Sequence, residues 1–237
     1  MTGIWSRRSN VSGSPATTGW RQSKWLALVE LGVVALTFVA DQHHLVPLSK
    51  TPFLLLLGWI SLRLRKVRWR DLGFFRNRGW SVTLGLGLGG GLILEVFQLF
   101  VTQPLLVRLT GKQPDLSDFA SLTGNIKLTL LLLALVWTVA AFGEELVWRG
   151  YLMNRVADLG TQSRLAWICS LVVVNVAFGF SHSDQGLTGQ IEESIAGVFL
   201  GLMYLITGRN LSVPIVAHGA ADTLDFVLIF LGKYPGM

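Results

Sequence analysis

Seven long apolar runs, separated by short polar segments, constrain this chain more than any other feature. They cover residues 25–40, 47–62, 80–101, 126–148, 165–180, 188–207 and 211–231. A helix needs about 20 residues to cross the hydrocarbon core, and the third, fourth, sixth and seventh runs easily allow this. Backbone polar groups in lipid must be satisfied internally, and no alternating pattern suggests a barrel. The runs therefore predict an all-α integral membrane protein with about seven transmembrane helices.

The composition agrees with this class of protein. Apolar residues make up 51% of the chain and charged residues 14%, whereas soluble domains carry about 25% charged residues. The net charge of +6 could suit nucleic acid, but the basic residues lie between the apolar runs and do not line one face. We therefore expect membrane lipid, and no nucleic acid, as a partner. The single cysteine, Cys169, excludes an intramolecular disulfide.

The distribution of Lys and Arg predicts the orientation of the chain. With a cytoplasmic N-terminus, 15 of the 20 Lys and Arg residues fall on the cytoplasmic side, as the positive-inside rule requires. We expect a polar cytoplasmic tail at 1–24 and one polytopic domain at 25–237, with the C-terminus outside, in a bacterial-type plasma membrane. Residues 63–79 combine basic and aromatic residues, which predicts a basic interfacial helix on anionic lipid.

Closely spaced glycines in the third run match the letters of a dinucleotide-binding loop. That motif requires a strand before it and a helix after it, whereas here the glycines lie inside an apolar run. Glycines four residues apart allow close helix packing in membranes. The sequence therefore predicts packing through the pairs Gly85/Gly89 and Gly87/Gly91.

Ionisable residues inside membrane spans are costly and so indicate functional sites. The fourth run ends in Glu144-Glu145-Leu-Val-Trp-Arg149. Glu145 and Arg149 are four apart and can pair on a helix, while Glu144 is displaced by about 100° and stays free to take a proton. His218 and Asp222 share a face of the seventh run, which would equally suit a polar seam between helices.

Three motifs taken together resemble those of the CPBP family, the CAAX proteases and bacteriocin-processing peptidases. The family pattern is Glu-Glu-x-x-x-Arg, then Phe-x-x-x-His, then His-x-x-x-Asn/Asp. The chain has, in that order, Glu144-Glu145-Leu-Val-Trp-Arg149, Phe178-Gly-Phe-Ser-His182 and His218-Gly-Ala-Ala-Asp222. The resemblance covers about residues 126–230, the expected catalytic core, and implies an active site in the C-terminal four-helix half.

The resemblance implies a membrane-embedded endopeptidase acting on a peptide or a membrane-anchored protein. Glu144 would activate water, His182 would help to hold that water, and His218 and Asp222 would face the oxyanion, with the Glu–Arg pair of the first motif in support. An ionised aspartate cannot donate a hydrogen bond, so Asp222 must be protonated or must orient His218. No cofactor is needed in this mechanism. The alternative is a Zn²⁺ enzyme with Glu144, His182 and His218 as ligands.

Two other classes of protein remain open. Buried Glu, His and Asp residues also mark ion paths in a proton-coupled transporter, although no inverted repeat relates the two halves. A non-catalytic immunity or scaffold protein could keep the fold, although the motif residues are all intact. A shared catalytic site requires its residues to lie at the same depth in the membrane. Along straight helices, Glu144 lies about 16 Å from Arg155, whereas His182 lies about 27 Å from Arg164. A shared site then needs a tilted or deeply starting fifth helix, or a cavity cutting into the membrane.

Overall fold

The computed structural model describes residues 20, 23–47, 50–74 and 79–236, and this part of the chain contains seven long helices and no strand. Each apolar run overlaps one of them for most of its length, which confirms the all-α class for the described residues. The helices are α1 (Lys24–Gln42), α2 (Lys50–Arg65), α3 (Trp80–Thr110), α4 (Ile126–Leu159), α5 (Arg164–Phe180), α6 (Gly186–Ile206) and α7 (Ser212–Phe230). By length and hydropathy, five of these described helices can cross a membrane, while α2 and α5 are shorter, with 16 and 17 residues.

Helix α3 continues nine residues beyond the expected end of its run. A π-helical turn at Gln98–Thr102 precedes Pro104, which lies at the start of the last helical piece. Proline cannot donate a backbone hydrogen bond, and its ring clashes with the carbonyl of the residue four positions earlier. Because the wider π turn falls at this point, the chain passes the proline without ending the helix.

Helix α4 is also longer than predicted, because Arg149 does not mark a membrane boundary. The arginine is fully buried inside the protein, and the helix runs on to Leu159. Much of its middle is π-helical, at Val136–Glu144 and at Leu146–Leu152. Such π segments are rare and frequently occur at functional sites.

Hydrogen bonds between connecting segments define two ends of the helix bundle. At one end, here called the cavity end, Lys50 Nζ donates to Ser181 O at 2.9 Å and the backbone N–H of Asp115 to Gln185 O at 3.0 Å. At the other, here called the basic end, the Tyr204 hydroxyl donates to Leu72 O at 2.8 Å. Each of the seven described helices runs between these two ends.

An ion-pair network at the basic end joins the first helices to α4. Arg65 of α2 donates to both carboxylate oxygens of Glu30 of α1, at 3.0 and 3.1 Å. Arg155 of α4 lies 3.8 Å from Glu30 and 3.1 Å from Asp158. Glu30 therefore finds its partners on other helices, which offsets the cost of burying its charge.

Close packing of α3 against α7 uses one of the two predicted glycine pairs. A side chain at Gly91 would meet the backbone of Ala217, and one at Gly87 would lie 2.5 Å from the Val216 side chain. Gly85 and Gly89 have open space beside them instead. The four-residue spacing thus predicted the contact correctly for one pair, while the other faces away from α7.

The basic segment expected to form one interfacial helix has a different structure. Its described residues contain the end of α2 and a four-residue 3₁₀ helix, Trp69–Leu72. Gly73 has a left-handed backbone and its carbonyl accepts the N–H of Leu211 at 2.9 Å, so the segment is bonded to the start of α7. Residues 75–78 of this prediction, and most of the predicted tail 1–24, lie outside the described residues.

Candidate active site

The first motif lies in the π-helical part of α4, where two adjacent glutamates have different surroundings. Glu145 is fully buried, whereas Glu144 is partly exposed and its carboxylate has no hydrogen-bond partner in the described part of the chain. Arg149 donates to Glu145 Oε1 at 2.6 Å and to the carbonyl of Gly197 on α6 at 3.0 Å. The predicted pair is therefore present, and the other glutamate stays free.

Glu145 has a second partner that the sequence did not indicate. Its Oε1 atom also lies 2.9 Å from Nδ1 of His218 on α7. A carboxylate accepts hydrogen bonds, so Nδ1 carries a hydrogen. Glu145 thus holds the orientation of His218 as well as the charge of Arg149.

The other nitrogen of His218 faces Asp222, which lies one turn along α7. Nε2 is 3.5 Å from Asp222 Oδ2, so the two side chains share a face as predicted. Gly219, beside the histidine, allows the Trp137 ring of α4 to lie where a side chain would clash, 2.7 Å from the position of a Cβ. This contact brings α7 close enough to α4 for His218 to reach Glu145.

Phe178 of the second motif is a packing centre for the site. It is 1% exposed, and the Arg149 guanidinium lies 4.7 Å above its ring, a favourable cation–π distance. The His182 and His218 rings lie 4.8 and 6.4 Å from it. His182 Nδ1 lies 2.9 Å from the Phe178 carbonyl and so carries the hydrogen, which leaves Nε2 of a neutral ring able to accept one.

The structure brings the four predicted catalytic side chains to one cavity of about 620 Å³. Glu144 comes from α4, His182 from the end of α5, and His218 and Asp222 from α7. The volume is within the usual range of ligand pockets, about 300–1,000 Å³. Glu145 and Arg149 do not line the cavity and lie behind it.

The cavity extends from the middle of the bundle to the cavity end, which is one of the arrangements that would let the three helices share a site. Glu144 is 18 residues from the start of α4 and 15 from its end, so it lies near the middle. The cavity continues to Asp184 and Gln185 in the link between α5 and α6. His182 therefore reaches the site from the cavity end, at the end of a short α5.

Several acidic residues around the cavity were not among the residues predicted from the sequence. Glu192 and Glu193 of α6 line the cavity together with Asp225 of α7. The carboxyl group of Asp225 lies beside that of Glu95 on α3. The rule that selected Glu144, an ionisable residue inside a span, would also have selected Glu192 and Glu193.

The candidate zinc ligands Glu144, His182 and His218 all line the cavity. Among the described residues, no group of three His, Cys, Asp or Glu side chains is already arranged to hold a metal ion. The Nδ1–H groups of His218 and His182 face Glu145 and a backbone carbonyl, an orientation that metal-ligating histidines also adopt, so the choice between the two mechanisms is left to experiment.

The helices and the buried acid–histidine site define an integral membrane protein with a polar cavity inside the bundle. Residues 126–224 match the family model of the type II CAAX prenyl endopeptidases, Rce1-like, and the match includes all seven motif residues. This match supports membership of the CPBP family, which includes membrane proteases. No curated protein and no solved structure gave a significant match.

Proposed function

We propose that this protein is an intramembrane endopeptidase that hydrolyses a peptide bond in a membrane-associated protein or peptide. The observation that carries the proposal is the meeting of an unpaired glutamate and two oriented histidines at one cavity. The family match supports the same activity.

In the proposed reaction, Glu144 removes a proton from a water molecule as the water oxygen attacks the peptide carbonyl carbon. Nε2 of His182, a cavity-lining residue, accepts a hydrogen bond from the other hydrogen of that water. Glu144 then passes its proton to the amide nitrogen and the C–N bond breaks. A carboxylic acid and an amine leave, and the acid loses its remaining proton to solvent. General-base catalysis of this kind contributes roughly 10²–10⁴-fold.

The negative oxygen of the tetrahedral intermediate needs a donor, which we assign to His218. Carboxylate oxygens face both of its nitrogens, so a ring that carries both protons has an acceptor for each N–H. In this proposal the Nε2–H is shared between Asp222 and the oxyanion. Asp222 orients the ring and needs no proton of its own. A well-placed donor to an oxyanion is worth roughly 10²–10³-fold.

The test uses the full-length protein, purified in detergent, with a library of membrane-associated peptides analysed by mass spectrometry. Glu144→Gln keeps the shape but cannot accept the proton, so cleavage should fall roughly 10²–10⁴-fold while peptide binding persists. Asp71→Asn is the matched control, because Asp71 is a partly exposed carboxylate at the basic end, paired with Arg68. Undiminished cleavage by Glu144→Gln would remove Glu144 from the mechanism.

Chelators separate the metal-free mechanism from the zinc alternative. We expect the wild type to stay active in strong chelators, with far less than one metal ion per chain by elemental analysis. Inactivation that stoichiometric Zn²⁺ reverses would instead make Glu144, His182 and His218 ligands, because the ion would then activate the water.

The buried pair of acids Glu95 and Asp225 favours a second candidate, a proton-coupled transporter. Each has a buried carboxyl oxygen without a hydrogen-bond partner in the described part of the chain, and buried acids of this kind mark proton paths in membranes. Purified protein in liposomes with an internal pH dye discriminates the two functions. Proton flux without peptide cleavage would support the transporter.

A further inference from the structure

The cavity has a strongly acidic lining in a protein whose net charge is +6. Six carboxylic residues line it, and among the described lining residues there is no Lys or Arg. They are Glu144, Asp184, Glu192, Glu193, Asp222 and Asp225. Asp222 faces His218, and Asp225 lies beside Glu95 of α3. The acidic surface beyond the catalytic groups is therefore centred on α6.

Glu192 is the member of this lining that most needs a partner. It is 5% exposed, and its buried Oε1 atom has no hydrogen-bond partner in the described part of the chain. Its nearest electrostatic influences are repulsive, from Glu193 and Glu95. A buried carboxylate without a donor or a counter-charge is costly. A cation that enters the cavity and pairs with Glu192 would remove this cost.

The described residues do not supply that cation. Arg149 is engaged by Glu145 and by a carbonyl of α6, and Lys50 is paired with Asp41 and Ser181. Burial and nearby acids raise the pKa of Tyr234, which also lines the cavity, so it remains a neutral phenol.

A peptide side chain fits the whole cavity better than a metal ion does. The described residues form no group of three His, Cys, Asp or Glu side chains that could hold a metal. The cavity also has an apolar wall, formed by Leu132, Leu135, Val136, Val139 and Phe226. An apolar wall beside an acidic one suits a segment in which a basic residue stands among apolar residues.

We propose that Glu192, with Glu193 beside it, forms a specificity subsite for a Lys or Arg side chain of the peptide substrate. This inference rests on the proposed protease function and names the substrate class for that site. The enzyme would then cleave apolar segments at a fixed distance from a basic residue, and an acidic residue at that position would be rejected by repulsion. Glu192 binds substrate in this proposal and takes no part in proton transfer.

The experiment compares peptides that differ at one position, which carries Lys, Arg, norleucine or Glu. Norleucine keeps the apolar stem of lysine without its charge. Because removing one partner of a buried charge pair has a large effect, the wild type should prefer Lys or Arg over norleucine by roughly 30-fold or more in kcat/KM. In Glu192→Gln this ratio should fall towards one. Glu193→Gln provides a second variant should the first fail to fold, and Asp71→Asn should keep the wild-type ratio.

A binding arm distinguishes failure of this inference from failure of the proposed function. The affinities of the Lys and norleucine peptides are measured by fluorescence anisotropy for wild type and for Glu144→Gln. Cleavage with equal rates for Lys and norleucine would refute the subsite and leave the protease. Selective binding of the Lys peptide without cleavage would refute the protease and leave a cation-selective cavity. Absence of charge-selective binding in folded wild type and Glu144→Gln would refute the subsite.

Discussion

Replacing Arg149 with alanine tests whether the buried pair behind the cavity is structural or chemical. Arg149 is fully buried, and its removal leaves Glu145 with only His218 and removes the side-chain donor to the carbonyl of Gly197. Breaking a buried ion pair from one side costs roughly 3–5 kcal/mol. We therefore expect the free energy of unfolding to fall by about 4 kcal/mol, which corresponds to a melting temperature lower by roughly 10 °C.

Thermal unfolding in detergent and peptide cleavage are measured on the same preparations. Arg155→Ala is the control, because Arg155 is also buried and paired but lies at the basic end, away from the cavity. Both variants should lose stability. Only Arg149→Ala should also lose activity per folded molecule, because His218 depends on the carboxylate that Arg149 holds. Arg149→Lys keeps the charge but loses the forked donor geometry, so it should fall between wild type and alanine.

A specific outcome would refute this reasoning. An Arg149→Ala protein with wild-type stability and no activity would place Arg149 in direct contact with substrate or with the reaction. An Arg149→Ala protein that is unstable but fully active per folded molecule would show that His218 keeps its position without the pair.

Three further predictions concern orientation, the seventh helix and helix packing. Reporter fusions after Arg70 should be cytoplasmic, and fusions after Lys112 or at the C-terminus should be external, which would put the cavity end outside; a cytoplasmic signal from Lys112 would reverse this assignment. Asp222→Asn keeps a hydrogen-bond acceptor, so kcat/KM should fall less than about tenfold, and Asp222→Ala should fall further; equal losses would disprove the orienting role. Gly179→Ala places a methyl group against the backbone of α6 and should lower the free energy of unfolding by roughly 1–3 kcal/mol, as chemical denaturation in detergent would show; an unchanged stability would contradict this close approach.

The parts of the site that the sequence predicted are those determined within one helix. Residues four apart face the same way, so the contacts of Glu145 with Arg149 and of His218 with Asp222 follow from spacing alone. The contact of Glu145 with His218 joins residues 73 positions apart. It depends on how closely α4 and α7 approach, and a single sequence without an alignment does not report that distance.

The predicted end of the fourth helix was wrong because a charged residue was taken as a sign of the membrane surface. The predicted fourth run ends just before Arg149, because arginine normally stands at the membrane surface. Buried pairing with Glu145 removes that cost, so the helix continues. Glu192 and Glu193 were missed because they lie inside the sixth run, which was recognised by its apolar residues alone.

The segment that matches the family model is not a complete folding unit. Its ion-pair network at the basic end includes residues from outside the match, because it joins Glu30, Arg65, Arg155 and Asp158. The family match begins at residue 126, yet the helix that carries Glu144 has its far end neutralised by residues from α1 and α2. A fragment starting at residue 126 would keep every motif residue but would lose Glu30 and Arg65, which leaves Arg155 with Asp158 alone. A chimera that takes its catalytic half from this protein therefore also needs the residues of α1 and α2 that pair with Arg155 and Asp158.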